Sequence, residues 1–189
     1  LTSCVKPQVS CGFHFFIFFS ILLNHFTNQY METRITKLQE KVKAYKEVLQ
    51  NTKEYRKQWQ LKTKGFIIQQ LLAVIEQTGL KAKVTEKDKI ENLESVMLDL
   101  GRSSSGIGES LDNTDFKNFM VKNNGALIYQ QLFNGKIMVM LVSPHIEGYG
   151  EPKSPEGREI LRPEEVTEES IQKNIESLLD VLIQWEDYD

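Results

Sequence analysis

Apolar side chains at Ile35, Leu38, Val42, Tyr45 and Leu49 recur at alternating spacings of 3 and 4. That is the a/d pattern of a helix with one narrow apolar seam. Residues 32–62 contain neither glycine nor proline, so the spacing predicts one long helix across them. The next seam positions, Thr52 and Arg56, are polar, and the pattern fades before Trp59. Two heptads are short for a free-standing coiled coil. The seam suits an amphipathic helix docked on its own domain, or a dimerisation helix. Ile35, Leu38, Val42, Tyr45, Leu49 and Trp59 are its candidate interaction residues.

Gly65 marks a possible break, after which "GFIIQQLLAVIEQTG" changes the pattern. Ile67, Ile68, Leu71, Leu72, Val74 and Ile75 cover a face much wider than a coiled-coil seam, which predicts a buried helix. Gly79 is placed to end it in the left-handed conformation. "LKAKVT" then alternates like a strand over 80–85. In "NLESVMLDLG", Val96, Leu98 and Leu100 alternate, although Ile90, Leu93, Met97 and Leu100 also fit a helix. A strand is the better choice because the preceding one needs a neighbour. "RSSSGIGES" has loop composition, and "DNTDFKNFMVKNNG" predicts a short helix with a Phe116, Phe119 and Met120 face.

"ALIYQQLFNGKIMVMLV" is the clearest local signal in the chain. Two β-rich runs flank Asn134-Gly135, the preferred pair for a two-residue type I′ turn. That turn sets Leu132 opposite Ile137, Gln130 opposite Val139 and Ile128 opposite Leu141. On the other face Tyr129 meets Met140, and Leu127 meets Val142. Both faces are apolar, so both are expected to be covered. Residues 143–165, with Pro144, Pro152, Pro155 and Pro163, read as a long loop. "TEESIQKNIESLLDVLIQW" is a helix capped by Thr167, with Glu168 and Glu169 in its first turn. The expected fold is α+β: a long N-terminal helix, then a four-stranded, mostly antiparallel sheet of two ββα units packed with helices.

The first thirty residues differ in kind. They hold one charged side chain, Lys6, and six of the ten phenylalanines. The apolar run from Phe13 to Phe26 is short for a spanning helix and is interrupted by His14, Ser20, Asn24 and His25. A secretory signal fits its length, but no small-x-small cleavage site follows. The favoured reading is upstream sequence translated from AT-rich DNA, with Met31 as the start and a cytoplasmic protein without membrane contact. The alternative is a signal or anchor of a secreted or membrane-bound protein. On the favoured reading Cys4, Cys11, His14 and His25 drop out, His145 is the sole histidine, and disulfide or Cys/His zinc chemistry is excluded. The chain then divides into 1–30, a basic helix over 31–64 and an α+β domain over 65–189.

Charge sharpens that division. Residues 31–64 carry ten Lys/Arg against four Asp/Glu, and residues 65–189 carry twelve against twenty-two. A basic arm on an acidic body opens a nucleic-acid reading through Arg34, Lys37, Lys41, Lys53 and Lys57, with Tyr45, Tyr55 and Trp59 stacking on bases. The acidic body opposes it. Catalysis has one foothold, His145, Glu147 and Tyr149, which share a side in extended backbone on the long loop. No nucleophile is tied to them. "GRSSSGIGE" lacks the lysine of a phosphate-binding loop. Asp112, Asp115, Glu164, Glu165, Glu168 and Glu169 are explained as helix-start residues. The sequence thus predicts no enzyme, cofactor or metal. It predicts a protein-interaction or assembly module that engages a protein partner or a second copy.

Overall fold

The computed structural model describes residues 12–110 and 117–187, with side chains from Met31 onward except those of Thr33 and Ser110. It divides into two compact units, Leu1–Leu49 and Gln50–Asp189. The described part of the first unit belongs to a single helix, α1 (Gly12–Gln58), whose last residues enter the second. The expectations for residues 1–11, and for the side chains of His14 and His25, lie outside the described residues. Among the described residues no helix is long and apolar enough to cross a membrane.

The break expected at Gly65 does not occur. A π turn over Trp59–Thr63 follows α1 and runs directly into α2 (Lys64–Thr78). The Lys64 N–H donates to the Trp59 carbonyl, closing the wider turn, so the helical hydrogen bonding is loosened without being lost. Trp59 and Thr63 point into the core. Helix α2 ends at Gly79, at φ +70°, with its N–H bonded to the Ile75 carbonyl.

The strands that follow are β1 (Lys83–Lys87), β2 (Ser95–Asp99), β3 (Arg102–Ser110) and β4 (Lys117–Asn123). After them come β5 (Ala126–Gln131), β6 (Ile137–Val142), β7 (His145–Ile146) and β8 (Glu156–Leu161). A 3₁₀ turn at Pro163–Glu165 precedes the last helix, α3 (Glu168–Glu186). The fold is α+β, but the four-stranded sheet of two ββα units gives way to two antiparallel sheets. One is five-stranded in the order β1-β2-β5-β6-β8, and the other is three-stranded in the order β3-β4-β7. "RSSSGIGES" is therefore a strand, and residues 117–123 of the expected short helix are another. Phe116, Asp112 and Asp115 lie outside the described residues. The long loop likewise contains β7 and β8.

The two strands β3 and β4 share a cause. β3 and β4 extend the β2–β5 ladder past a bend, and ladder hydrogen bonds, more than apolar alternation, hold them. Leu100 N–H donates to the Gly125 carbonyl at 3.2 Å, and Asn124 N–H to the Gly101 carbonyl at 3.0 Å. Gly101 at φ +71° and Gly125 at φ +93° supply the conformations that the bend requires. Beyond it, most of β3 is exposed, so serine and glycine serve as well there as valine.

The β5–β6 hairpin forms, with its register one residue from expectation. Gln131 pairs with Ile137, Tyr129 with Val139, Ile128 with Met140 and Leu127 with Leu141. Gly135 N–H donates to the Leu132 carbonyl, and Leu132 N–H to the Lys136 carbonyl, each at 2.8 Å. The connection is thus the three residues Phe133, Asn134 and Gly135, a turn closed by a left-handed glycine at φ +78°. Because strand side chains alternate, a one-residue slip changes which pairs share a face. Leu127, Tyr129, Ile137, Val139 and Leu141 now share one face, buried with Val96 and Leu98. Helices α2 and α3 supply Ile67, Leu71, Ile171, Ile175 and Leu178 to the same core. The opposite face aligns Met97, Ile128 and Met140, which are half-buried instead of fully covered. Helix α3 starts as expected: the Thr167 hydroxyl accepts from Ser170 N–H at 3.2 Å, and Thr167 N–H donates to Ser170 Oγ at 2.9 Å.

Candidate functional site

The seam of α1 is exposed throughout. Ile35, Leu38, Val42, Tyr45 and Leu49 keep between 45% and 63% of their surface open to solvent. Met31, one turn ahead of Ile35, extends the row and is also exposed. A run of good helix formers without glycine or proline keeps the backbone helical here. The 3.6-residue turn aligns the row on one face.

Trp59 does not belong to this surface. It is fully buried in the core of the second unit, and its indole N–H donates to Glu94 Oε2 at 3.2 Å. That removes it from both the interaction set and the base-stacking set. Glu94 also accepts from Gln60 Nε2 at 2.6 Å and from Lys64 Nζ at 3.2 Å. Lys64 bridges onward to Glu86 at 2.9 Å. Burial alone would push the Glu94 carboxyl up, but the donors Gln60, Trp59 and Lys64, with the charge of Lys64, hold it below the ordinary carboxylate range. The Lys64 ammonium is raised by its bond to Glu86, against the opposing effect of burial, with Glu94 adding in the same direction. Every charged or polar group in this clamp is matched by another within it. Its role is to fasten the π turn to the start of β2. Periodicity gave no hint of Glu94, because the carboxylate stands just before β2 and its donors lie on a helix far away in sequence.

A second polar contact ties α3 to the sheet. Asn174 Nδ2 donates to Glu159 Oε1 at 3.0 Å and lies 3.5 Å from the Tyr129 hydroxyl. Burial pushes the Tyr129 phenol up, Asn174 opposes that rise and Glu159 adds to it.

The loop candidates come together only in part. Asn123 Nδ2 lies 3.1 Å from His145 Nε2 and donates to Glu147 Oε1 at 3.0 Å. Arg102 donates to Asn123 Oδ1 at 3.1 Å and stands 3.6 Å from Glu147. His145 and Glu147 thus meet through an asparagine where β4 and β7 pair. Tyr149 is 66% exposed, and its backbone N–H closes a turn onto the Ile146 carbonyl at 3.1 Å. Of the acidic candidates, Glu165 accepts from Arg162 N–H at 2.6 Å, and Glu168 and Glu169 occupy the first turn of α3. Among the described residues no group of three His, Cys, Asp or Glu is arranged to hold a metal. The basic candidates Arg34, Lys37, Lys41, Lys53 and Lys57 are all exposed on α1.

Two of the clefts in the second unit border its helices. One, of about 630 Å³, lies between the π turn and the start of α3, lined by Gln58, Thr63, Phe66, Pro163 and Thr167. The other, of about 480 Å³, lies between α2 and α3, lined by Val74, Leu80, Ile175 and Leu179. Neither includes His145, Glu147 or Tyr149. No protein-family model, curated protein sequence or solved structure matches the chain.

Proposed function

We propose that this chain is a non-enzymatic interaction module that assembles through the seam of α1, with the α+β body as the part it brings to the assembly. The observation that supports this is the exposure of five apolar side chains in heptad spacing. Each such side chain is worth about 1.5–3 kcal/mol when fully removed from water. A row of them on one helix face is the usual docking surface for a second helix.

Sedimentation velocity tests the proposal. The full chain is run alone and mixed with a designed helix bearing isoleucine and leucine at its a and d positions. Self-association or helix binding is expected, and Leu38→Lys with Val42→Lys should abolish it. A chain that stays monomeric and ignores the helix, or whose association survives the double substitution, would refute the seam as the assembly element.

A further inference from the structure

The charges beside the seam say which kind of helix it takes. With Ile35, Val42 and Leu49 at a and Leu38 and Tyr45 at d, the flanking e and g positions of the first unit are Glu32, Arg34, Gln39, Lys41, Lys46 and Val48. Glu40 and Glu47 fall at f, on the side away from the seam. Basic groups therefore border the apolar row, while these acids face outward. Glu32 is the one acidic group beside the row, at its N-terminal end.

In a two-stranded coiled coil the e and g side chains meet across the interface and set partner choice. A parallel, in-register pair of copies of this chain would bring Lys41 of one against Lys46 of the other. Like charges at that spacing repel and select against the pairing. The β-branched Ile35 and Val42 at a, with Leu38 at d, still favour a two-stranded structure.

We infer that the seam docks an amphipathic helix of a different protein, one with an apolar stripe flanked by glutamate or aspartate. This rests on the seam being an assembly surface, and it adds the chemistry of the partner. Lys41 and Lys46 are exposed on the same stretch of α1 as the apolar row, so acidic groups along its two borders would find cations in register. Nucleic acid would meet the same lysines, but it has no use for Ile35, Leu38 and Val42 between them.

The test uses the full chain and two designed helices that share isoleucine and leucine at a and d. One carries glutamate and the other lysine at all e and g positions. Binding is followed by fluorescence anisotropy in moderate salt. The glutamate helix is expected to bind at least tenfold more tightly, and Lys41→Glu with Lys46→Glu should reverse the preference. Circular dichroism of that variant checks that α1 stays helical.

Equal binding of both helices would overturn the acidic partner and leave the seam standing. A stable homodimer that Leu38→Lys disrupts would do the same, in favour of a second copy. Duplex or single-stranded RNA that binds the chain and displaces the glutamate helix would overturn the inference in favour of a polyanion. If neither helix binds and the chain is monomeric, both the partner and the seam fall.

Discussion

Replacing Gly135 by alanine separates two costs that the β5–β6 turn combines. The first is conformational. Gly135 sits at φ +78°, and an L residue with a Cβ pays about 1–2 kcal/mol there. The second is steric. A Cβ at Gly135 would stand 2.7 Å from Tyr55 Cβ, 3.0 Å from the Arg56 nitrogen and 3.1 Å from the Thr52 carbonyl oxygen. Non-bonded carbons settle at about 3.5–4.0 Å, so the turn must retreat from the end of α1 by about 1 Å. Two of the three obstacles are backbone atoms that cannot rotate away. The retreat also loosens the guanidinium of Arg56, which donates to the Phe133 carbonyl through Nε at 3.2 Å and through Nη2.

Overpacking of this kind typically costs about 1–3 kcal/mol. Gly148 is the matched control: its φ is +79°, and nothing lies within 4 Å of where its Cβ would be. Gly148→Ala should pay the conformational cost alone, and Gly135→Ala should exceed it by about 1–3 kcal/mol. Gly135→Asn tolerates the left-handed conformation yet should still lose the steric part, since the Cβ is the obstacle. Urea unfolding followed by the fluorescence of buried Trp59 reads all three. Equal losses at 135 and 148 would show that the turn does not rest on α1, and the reasoning would fail.

The Glu94 clamp predicts a loss of about 1–3 kcal/mol for Glu94→Ala, because the buried Trp59 indole would be left without its acceptor while Lys64 keeps Glu86. Since the Glu94 carboxyl is held below its ordinary value, its contribution is complete above that value and is lost as pH falls through the folded one. Wild-type stability, measured by urea titration from neutral to acid pH, should therefore fall more steeply than that of Glu94→Gln; parallel curves would count against the clamp. Gln131 is fully buried, and its side-chain amide has no hydrogen-bond partner among the described residues. Gln131→Met should raise stability by about 1–2 kcal/mol by removing that desolvated amide; destabilisation in a thermal melt would mean that the amide is engaged. Gly65 lies in α2 with open space around it, so Gly65→Ala should stabilise by about 0.5–1 kcal/mol, and a lower melting temperature would contradict the uninterrupted helix.

Signals that depend on one element alone were legible in the sequence. The heptad spacing of α1, the apolar face of α2 (except Leu72, which is exposed) with its Gly79 stop, the Thr167 cap of α3 and the presence of the β5–β6 hairpin are all local patterns. Elements held by what lies beside them were not. β3 and β4 carry serine, glycine, lysine and asparagine, and they are strands because they continue a ladder begun by β2 and β5. The hairpin slip has the same origin. Asn134-Gly135 suits a two-residue loop locally, while the pairing that unites Leu127, Tyr129, Ile137, Val139 and Leu141 on the buried face needs three residues. For the candidate site, the spacing marked the seam and its misleading last member alike. Trp59 follows the apolar row in sequence, but the π turn and Glu94 take it into the core.

The π turn fixes how many residues separate the anchor groups on either side of it. Tyr55 and Arg56 meet the hairpin turn, Trp59 fills the core, and Ile67 and Leu71 lie under the sheet. Each residue of an α-helix advances the direction of its side chain by about 100°. Deleting one exposed residue such as Leu61 would restore a regular helix, and it would swing one of these anchor groups by about that angle away from its target. Between Tyr55 and Ile67 the chain therefore accepts changes of residue type at its exposed positions far more readily than a change of length. The surplus residue is a spacer that lets one continuous rod satisfy two surfaces facing different ways.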